Sequence, residues 1–170
     1  MTEEDLFSPI KQTLIEQHRS EEDIAKIEEA YNFAKKVHGG QFRVSGEPYI
    51  IHPVEVLKIL LGLKADTHTL IEALLHDVIE DTDWTIDDLE KEGFNEDILT
   101  ALKLMTHNPA EPYMDYISRL STCPVARQVK LADLYHNSDR TRVENPDEKM
   151  LKRWEKYDRA IQLLKSVNIH

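Results

Sequence analysis

The stretch ALLHDVIEDT, residues 73–82, sets one imidazole and three carboxylates, His76, Asp77, Glu80 and Asp81, where an amphipathic helix should be entering its core. Leu70, Ala73, Leu74 and Asp77 share one helical face, so a carboxylate continues the apolar stripe. Adjacent helical positions lie about 100° apart, which lets His76 and Asp77 converge on one ion from a single turn. Imidazole with carboxylates is a borderline-to-hard ligand set suited to manganese, iron or zinc. With no cysteine nearby, a tetrahedral structural zinc site is not expected.

Two further residues interrupt structural patterns in the same manner. His52, in YIIHPVEVL, precedes a predicted helix, and Asp133, in VKLADLYHN, lies among Val129, Leu131 and Leu134. An ionised Asp buried without compensation costs several kcal/mol or neutralises itself, so a divalent cation accounts for its presence there. Plainer readings stand beside these. His52 can be a helix-start cap, Asp133 an acceptor for Arg127 or Lys130, and Glu80 with Asp81 a solvated helix end.

The elements that must position these groups are helical. Helical periodicity dominates, strand-like alternation is nearly absent, and five glycines and seven prolines punctuate the chain, which predicts an all-α fold. A short first helix is expected over 4–17 and a longer one over 21–37, where Ser20 and Asp23 form an S-x-x-D capping signal. HGGQFRVSGEPYIIHP then makes a loop. Helices follow over 53–63, over 67–80 with the opening stretch, from a Thr85/Asp88 cap to Gly93, over 95–105 and over 112–120. Pro124, at a first-turn position, starts the next to Tyr135, and Asn145 with Pro146 opens the last, to Ser166.

At 170 residues the chain is read as one compact multi-helix domain over 1–170, able to bury about two-thirds of the surface its unfolded form exposes. Hydrophobic residues at 41% and charged residues at 31% exclude a disordered or low-complexity class. The net charge of −11 repels nucleic acid and anionic membranes, so neither is an expected partner, and an anionic ligand needs a local cationic pocket or a metal. The single cysteine, Cys123, cannot form an internal disulfide, MTEEDLFSPIKQ has no signal-peptide layout, and the longest apolar run, ILLGL, is far short of the roughly 20 residues of a membrane span. A cytoplasmic location is expected.

The order His, then His-Asp, then a distant Asp resembles that of the HD superfamily of metal-dependent phosphohydrolases. AKKVHGGQFRVSGEPYIIHP, LIEALLHDVIEDT and VKLADLYHN resemble the hydrolase domain of RelA/SpoT proteins and the stand-alone small alarmone hydrolases, over roughly 30–160. The resemblance implies that His52, His76, Asp77 and Asp133 are the metal ligands, that the ion is manganese, and that Glu80 and Asp81 orient or deprotonate an attacking water. Four protein ligands leave one or two places open on a six-coordinate ion, as catalysis requires. On the substrate side it implies that Arg43, in a loop shared with Ser45, stacks on a guanine, that Asn137 contacts the nucleotide, and that Arg153 and Tyr157 hold phosphate oxygens. Arg153 and Tyr157 can equally be surface residues of a terminal helix. Lys130 and Arg140 add charge against a polyanion.

The implied activity is manganese-dependent hydrolysis of guanosine 3′,5′-bis(diphosphate) and of the pentaphosphate at the 3′ position, releasing pyrophosphate. The synthetase half of long members has no room in 170 residues, so the expected direction is degradative. The chain also departs from the family pattern. Val44 stands where these hydrolases usually carry Lys, His107 in MTHN where long members often have Lys, and LADLYHNSDRTR sets Arg140 and Arg142 in a different register from LADRLHNMRT. These changes spare the ligands and touch the pocket. Two other readings therefore stay open: the same chemistry on another nucleotide, such as the 2′ phosphate of NADPH or a nucleoside monophosphate, and a nucleotide-binding module without catalysis.

Overall fold

The helix α4 (Thr67–Leu75) is apolar almost all round, and every residue from Thr69 to Leu75 is buried, as expected of a helix enclosed by others rather than lying on a surface. A computed structural model describes residues 6–43, 46–138 and 145–166. In it, α4 packs against α2 (Glu21–Val37), α3 (Ile51–Gly62), α7 (Glu96–Met105) and α9 (Pro124–Asn137). Because α3 and α9 also pack on each other, α3, α4 and α9 form a closed triangle. Around it, α1 (Phe7–Glu16) lies on α2, α6 (Ile86–Lys91) on α7, and α10 (Glu148–Ser166) against α8 (Tyr113–Leu120) and α9; α5 (Val78–Asp81) follows α4. The fold is all-α, and the described residues contain no strand, only an isolated antiparallel bridge between Phe42 and Pro48. Among them, no helix is long and apolar enough to cross a membrane.

Local signals set most helix ends. Ser20 Oγ accepts from the Asp23 N–H at 3.0 Å, Thr85 and Asp88 form a complete capping box, and Pro124 occupies the first turn of α9. Asp66 caps α4, its carboxylate accepting from the backbone N–H and hydroxyl of Thr69 at 2.8 and 2.7 Å. Two starts differ from the sequence reading. α10 begins at Glu148, where Asp147 rather than Asn145 accepts from the Met150 N–H at 2.8 Å, and α3 begins at Ile51, ahead of Pro53.

The larger difference lies in the opening stretch, where one helix to Glu80 is expected and two are found. His76 Nδ1 lies 2.6 Å from the Ala73 carbonyl, the acceptor that a continuing α-helix would give to the Asp77 N–H. The side chain takes that acceptor, α4 stops at Leu75, and α5 restarts at Val78, with the Asp81 N–H donating to the Asp77 carbonyl at 2.9 Å.

One residue of α4 conflicts with its surroundings. Glu72 is fully buried, and neither carboxyl oxygen has a hydrogen-bond partner. Burial pushes its pKa well above the ordinary carboxyl value, the His76 charge opposing only part of that. The folded protein thus keeps the Glu72 proton to higher pH than the unfolded chain does. Its contribution is whole below the unfolded carboxyl pKa and is lost as pH rises through the raised folded value. Glu72→Met is expected to stabilise the protein by about 1–3 kcal/mol at pH 7 and to flatten this part of the pH slope, read by urea unfolding from pH 5 to 8. A variant with wild-type stability and slope would contradict the buried-acid account.

Candidate metal centre and active site

Each side of the helix triangle delivers part of one cluster. His52 comes from the first turn of α3, His76 and Asp77 from the break after α4, and Asp133 from the buried face of α9. His52 Nε2 lies 2.8 Å from Asp133 Oδ1 and 3.5 Å from Asp77 Oδ2, and His76 Nε2 lies 3.1 Å from Asp77 Oδ2 and 3.3 Å from Asp133 Oδ1. One donor atom from each of the four lies within 4.8 Å of the others. Ligand bonds of about 2.1 Å put opposed donors roughly 4.2 Å apart, so these atoms close on one ion with small shifts.

The electrostatics favour a cation at that point. Burial alone would raise the Asp77 carboxyl, yet the His76 charge and hydrogen bond hold it at about 2. Burial would also raise Asp133, but Lys130, 3.0 Å from its Oδ2, and hydrogen bonds from both imidazoles hold it well below the carboxylate range. His76, which burial would make less basic, is driven well above the ordinary histidine value by Asp77 and Asp133. Two carboxylates thus draw positive charge onto one ring, a demand a divalent ion meets directly. The Ala73 carbonyl can only accept, so it keeps a proton on His76 Nδ1 and turns Nε2 toward the cluster, the arrangement of a ligating histidine. The donor set fits a divalent metal.

The acidic pair divides. Asp81 is tied back to the cluster through Tyr49, whose hydroxyl lies 2.5 Å from Asp81 Oδ2 and 2.9 Å from Asp77 Oδ2, while Gln41 Nε2 donates to the Asp81 carbonyl at 2.9 Å. His38 completes this support, stacked on Tyr49 and bonded to the Gln41 side chain at 3.0 Å. Glu80 is anchored separately, its Oε1 accepting from the His107 N–H just past α7. Burial raises both carboxyls, with Asp77 adding to the rise, while Tyr49 on Asp81 and the His107 N–H on Glu80 offset part of it.

On the substrate side, Arg43 Nη2 donates to Asn137 Oδ1 at 2.9 Å, and Asn137 Nδ2 donates to Asp133 Oδ1 at 3.1 Å, so both predicted nucleotide contacts adjoin the cluster. Lys130 is spent on Asp133, with its ammonium also 5.5 Å from the Tyr116 ring centroid. Arg153 is exposed on α10, and Tyr157, one turn on, is half-buried within the fields of Arg153, Asp133, Lys130 and Arg43. Ser45 and Arg140, with Val44 and Arg142, lie outside the described residues. The residues the sequence reading left unassigned are His38, Gln41, Tyr49 and His136. All stand inside the motifs HGGQ, GEPY and LYHN, and no spacing rule marks which of those side chains turn inward.

A model of the HD domain matches residues 30–107. The bifunctional (p)ppGpp synthase/hydrolase SpoT of Escherichia coli (strain K12) is 50% identical over 86 residues, 51% of this chain and 12% of that protein. A guanosine-3′,5′-bis(diphosphate) 3′-pyrophosphohydrolase of Aquifex aeolicus (strain VF5) is 40% identical over 120 residues, 66% of this chain and 17% of that protein. A solved structure of a metazoan ortholog of SpoT, which hydrolyses ppGpp and plays a role in starvation responses, superposes with a TM-score of 0.71 at 27% identity over 85% of this chain and 88% of that one. Over the matched residues the chain is thus similar to HD domains and homologous to the SpoT/RelA hydrolase domain. It spans 12–17% of the length of these two curated relatives. The HD domain implies a divalent metal, and the His/Asp cluster supplies the donors for one.

A divalent ion bound at this cluster should stabilise the folded chain, by about 2.7 kcal/mol at one hundred times its Kd. Thermal melts with and without manganous salt should show that rise in the wild type, its loss after chelation, and its absence in Asp77→Ala and Asp133→Ala. An undiminished rise in both variants would place the ion elsewhere.

Proposed function

We propose that the chain is a manganese-dependent pyrophosphohydrolase, a single HD-type domain that removes pyrophosphate from the 3′ position of guanosine 3′,5′-bis(diphosphate) and of the pentaphosphate. The observation that carries this reading is the convergence of His52, His76, Asp77 and Asp133 on one point, with Asp81 held beside it by Tyr49. The names of the relatives support the substrate class. Manganese, when bound, supplies positive charge at the scissile phosphoryl group and acidifies the attacking water. Asp81, with Tyr49 on its Oδ2, has Oδ1 left to take a proton from that water, and its raised pKa suits the transfer. Glu80, anchored through Oε1, orients the water with Oε2. The water oxygen bonds to the phosphorus attached to the 3′ oxygen as its proton passes to Asp81, and the P–O3′ bond breaks; the departing 3′ oxygen takes up a proton from solvent, leaving pyrophosphate with GDP from the tetraphosphate or GTP from the pentaphosphate.

The polyanion meets cations on the opposite side. Arg153 and Tyr157 hold phosphate oxygens, Lys130 adds charge from behind Asp133, Arg43 stacks on the guanine and Asn137 contacts the nucleotide. Ser45 and Arg140 belong to this set on the resemblance alone. A nucleotide substrate and the free thiol of Cys123 fit a cytoplasmic setting, where we place the protein.

The test is product analysis by ion-exchange chromatography on the tetraphosphate, NADPH and nucleoside monophosphates, each with manganese. The tetraphosphate should turn over fastest, giving GDP and pyrophosphate, and chelation should stop the reaction. Asp81→Asn and Glu80→Gln should lower kcat about 10²–10⁴-fold with manganese still bound, while Arg153→Ala should act mainly on KM. Faster turnover of NADPH or a monophosphate would replace the substrate assignment, and stoichiometric nucleotide binding without product would replace the enzymatic one.

A further inference from the structure

His136, one residue before Asn137 on α9, meets His52 on the side away from the cluster. Their Nδ1 atoms are 2.7 Å apart. The ring centroids are 4.9 Å apart and the planes are tilted by 29°. That separation is the N···N distance extended by two ring radii, so the rings meet edge to edge along an in-plane hydrogen bond rather than face to face. Two imidazole nitrogens this close hold one proton between them, since two protons would clash and two lone pairs would repel.

The other side of His52 decides which ring owns that proton. His52 Nε2 faces Asp133 Oδ1 and Asp77 Oδ2, so it is the nitrogen presented to an ion, and a ligating nitrogen carries no proton. A neutral His52 must then keep its proton on Nδ1 and donate it to His136 Nδ1. Arg43 Nη1 is a second donor to the same atom, but at 3.5 Å, while Arg43 Nη2 is engaged by Asn137 at 2.9 Å. The 2.7 Å contact therefore dominates. His76 is fixed in the equivalent way by the Ala73 carbonyl. The two histidines of the cluster thus differ in kind: one is oriented by backbone, the other by a side chain that mutation can remove.

We propose that His136 is a positioning residue for the metal centre, its Nδ1 accepting the His52 Nδ1–H and so fixing the tautomer and ring orientation that turn His52 Nε2 toward the ion. The inference rests on the reading of His52 as a ligand. Manganese affinity of the full chain, by competition with a fluorescent chelator, tests it in the wild type, His136→Ala, His136→Asn and His136→Gln, with circular dichroism to verify folding. Asparagine carries an acceptor oxygen at the δ position, near the place of Nδ1, whereas glutamine carries its acceptor at ε. His136→Ala should bind manganese about 10–100-fold more weakly, His136→Asn should recover most of the loss, and His136→Gln should not. A residue that merely fills space would not separate Asn from Gln. Equal affinities for these two, or wild-type affinity in His136→Ala, would overturn the proposal and leave the four-ligand reading intact. A wild type that binds no manganese would overturn both.

Discussion

A charged carboxylate inside a protein stands only where neighbouring groups offset the loss of water. Asp133 is such a carboxylate, and its neighbours lay out the site. Lys130 Nζ meets Oδ2, while His52, His76 and Asn137 all meet Oδ1. These groups come from α3, the end of α4, and α9, the three helices whose mutual packing encloses Leu57, Leu60, Leu70, Leu74 and Val129. The apolar core fixes the distances between the helices, and Asp133 gathers their polar groups to one point. Neither holds without the other: splaying the helices would strand a buried charge, and removing the charge would leave buried donors facing one another.

The same arrangement separates two electrostatic tasks in a chain of net charge −11. Acidic groups lie on the α4–α5 side, where Asp77 joins the cluster and Glu80 and Asp81 are held next to it by the His107 N–H, Tyr49 and Gln41. Cationic groups lie on α9, on α10 and in the loop before α3, where the charges of Lys130, Arg153 and Arg43 all act on Tyr157. Under the proposed activity, an anionic nucleotide repelled by the protein as a whole would find local positive charge beside the acids assigned to act on it.

Much of this was legible in the sequence because it rests on local chemistry. The caps at Ser20, Thr85 and Asp88, and the proline opening α9, mark helix ends that the structure keeps. Asp77 and Asp133 were legible as interruptions of apolar stripes, with His76 beside the first and His52 at a helix start, but only the family resemblance joined them into one ligand set; the structure brings all four together. The break between α4 and α5 was not. Val78 and Ile79 continue the apolar pattern, and the helix is cut by a His76 ring whose orientation is shared with Asp133, fifty-seven positions away. Tyr49, Gln41 and His136 were equally opaque, since each acts through a rotamer set by tertiary contacts.

The central claim is geometric: segments of three helices surround a single divalent ion. Diffraction from crystals grown with manganous salt, recorded on both sides of the manganese absorption edge, tests it most directly. The account predicts one anomalous peak bonded to His52 Nε2, His76 Nε2, Asp77 and Asp133. A peak elsewhere, or no peak with the four side chains turned apart, would contradict it.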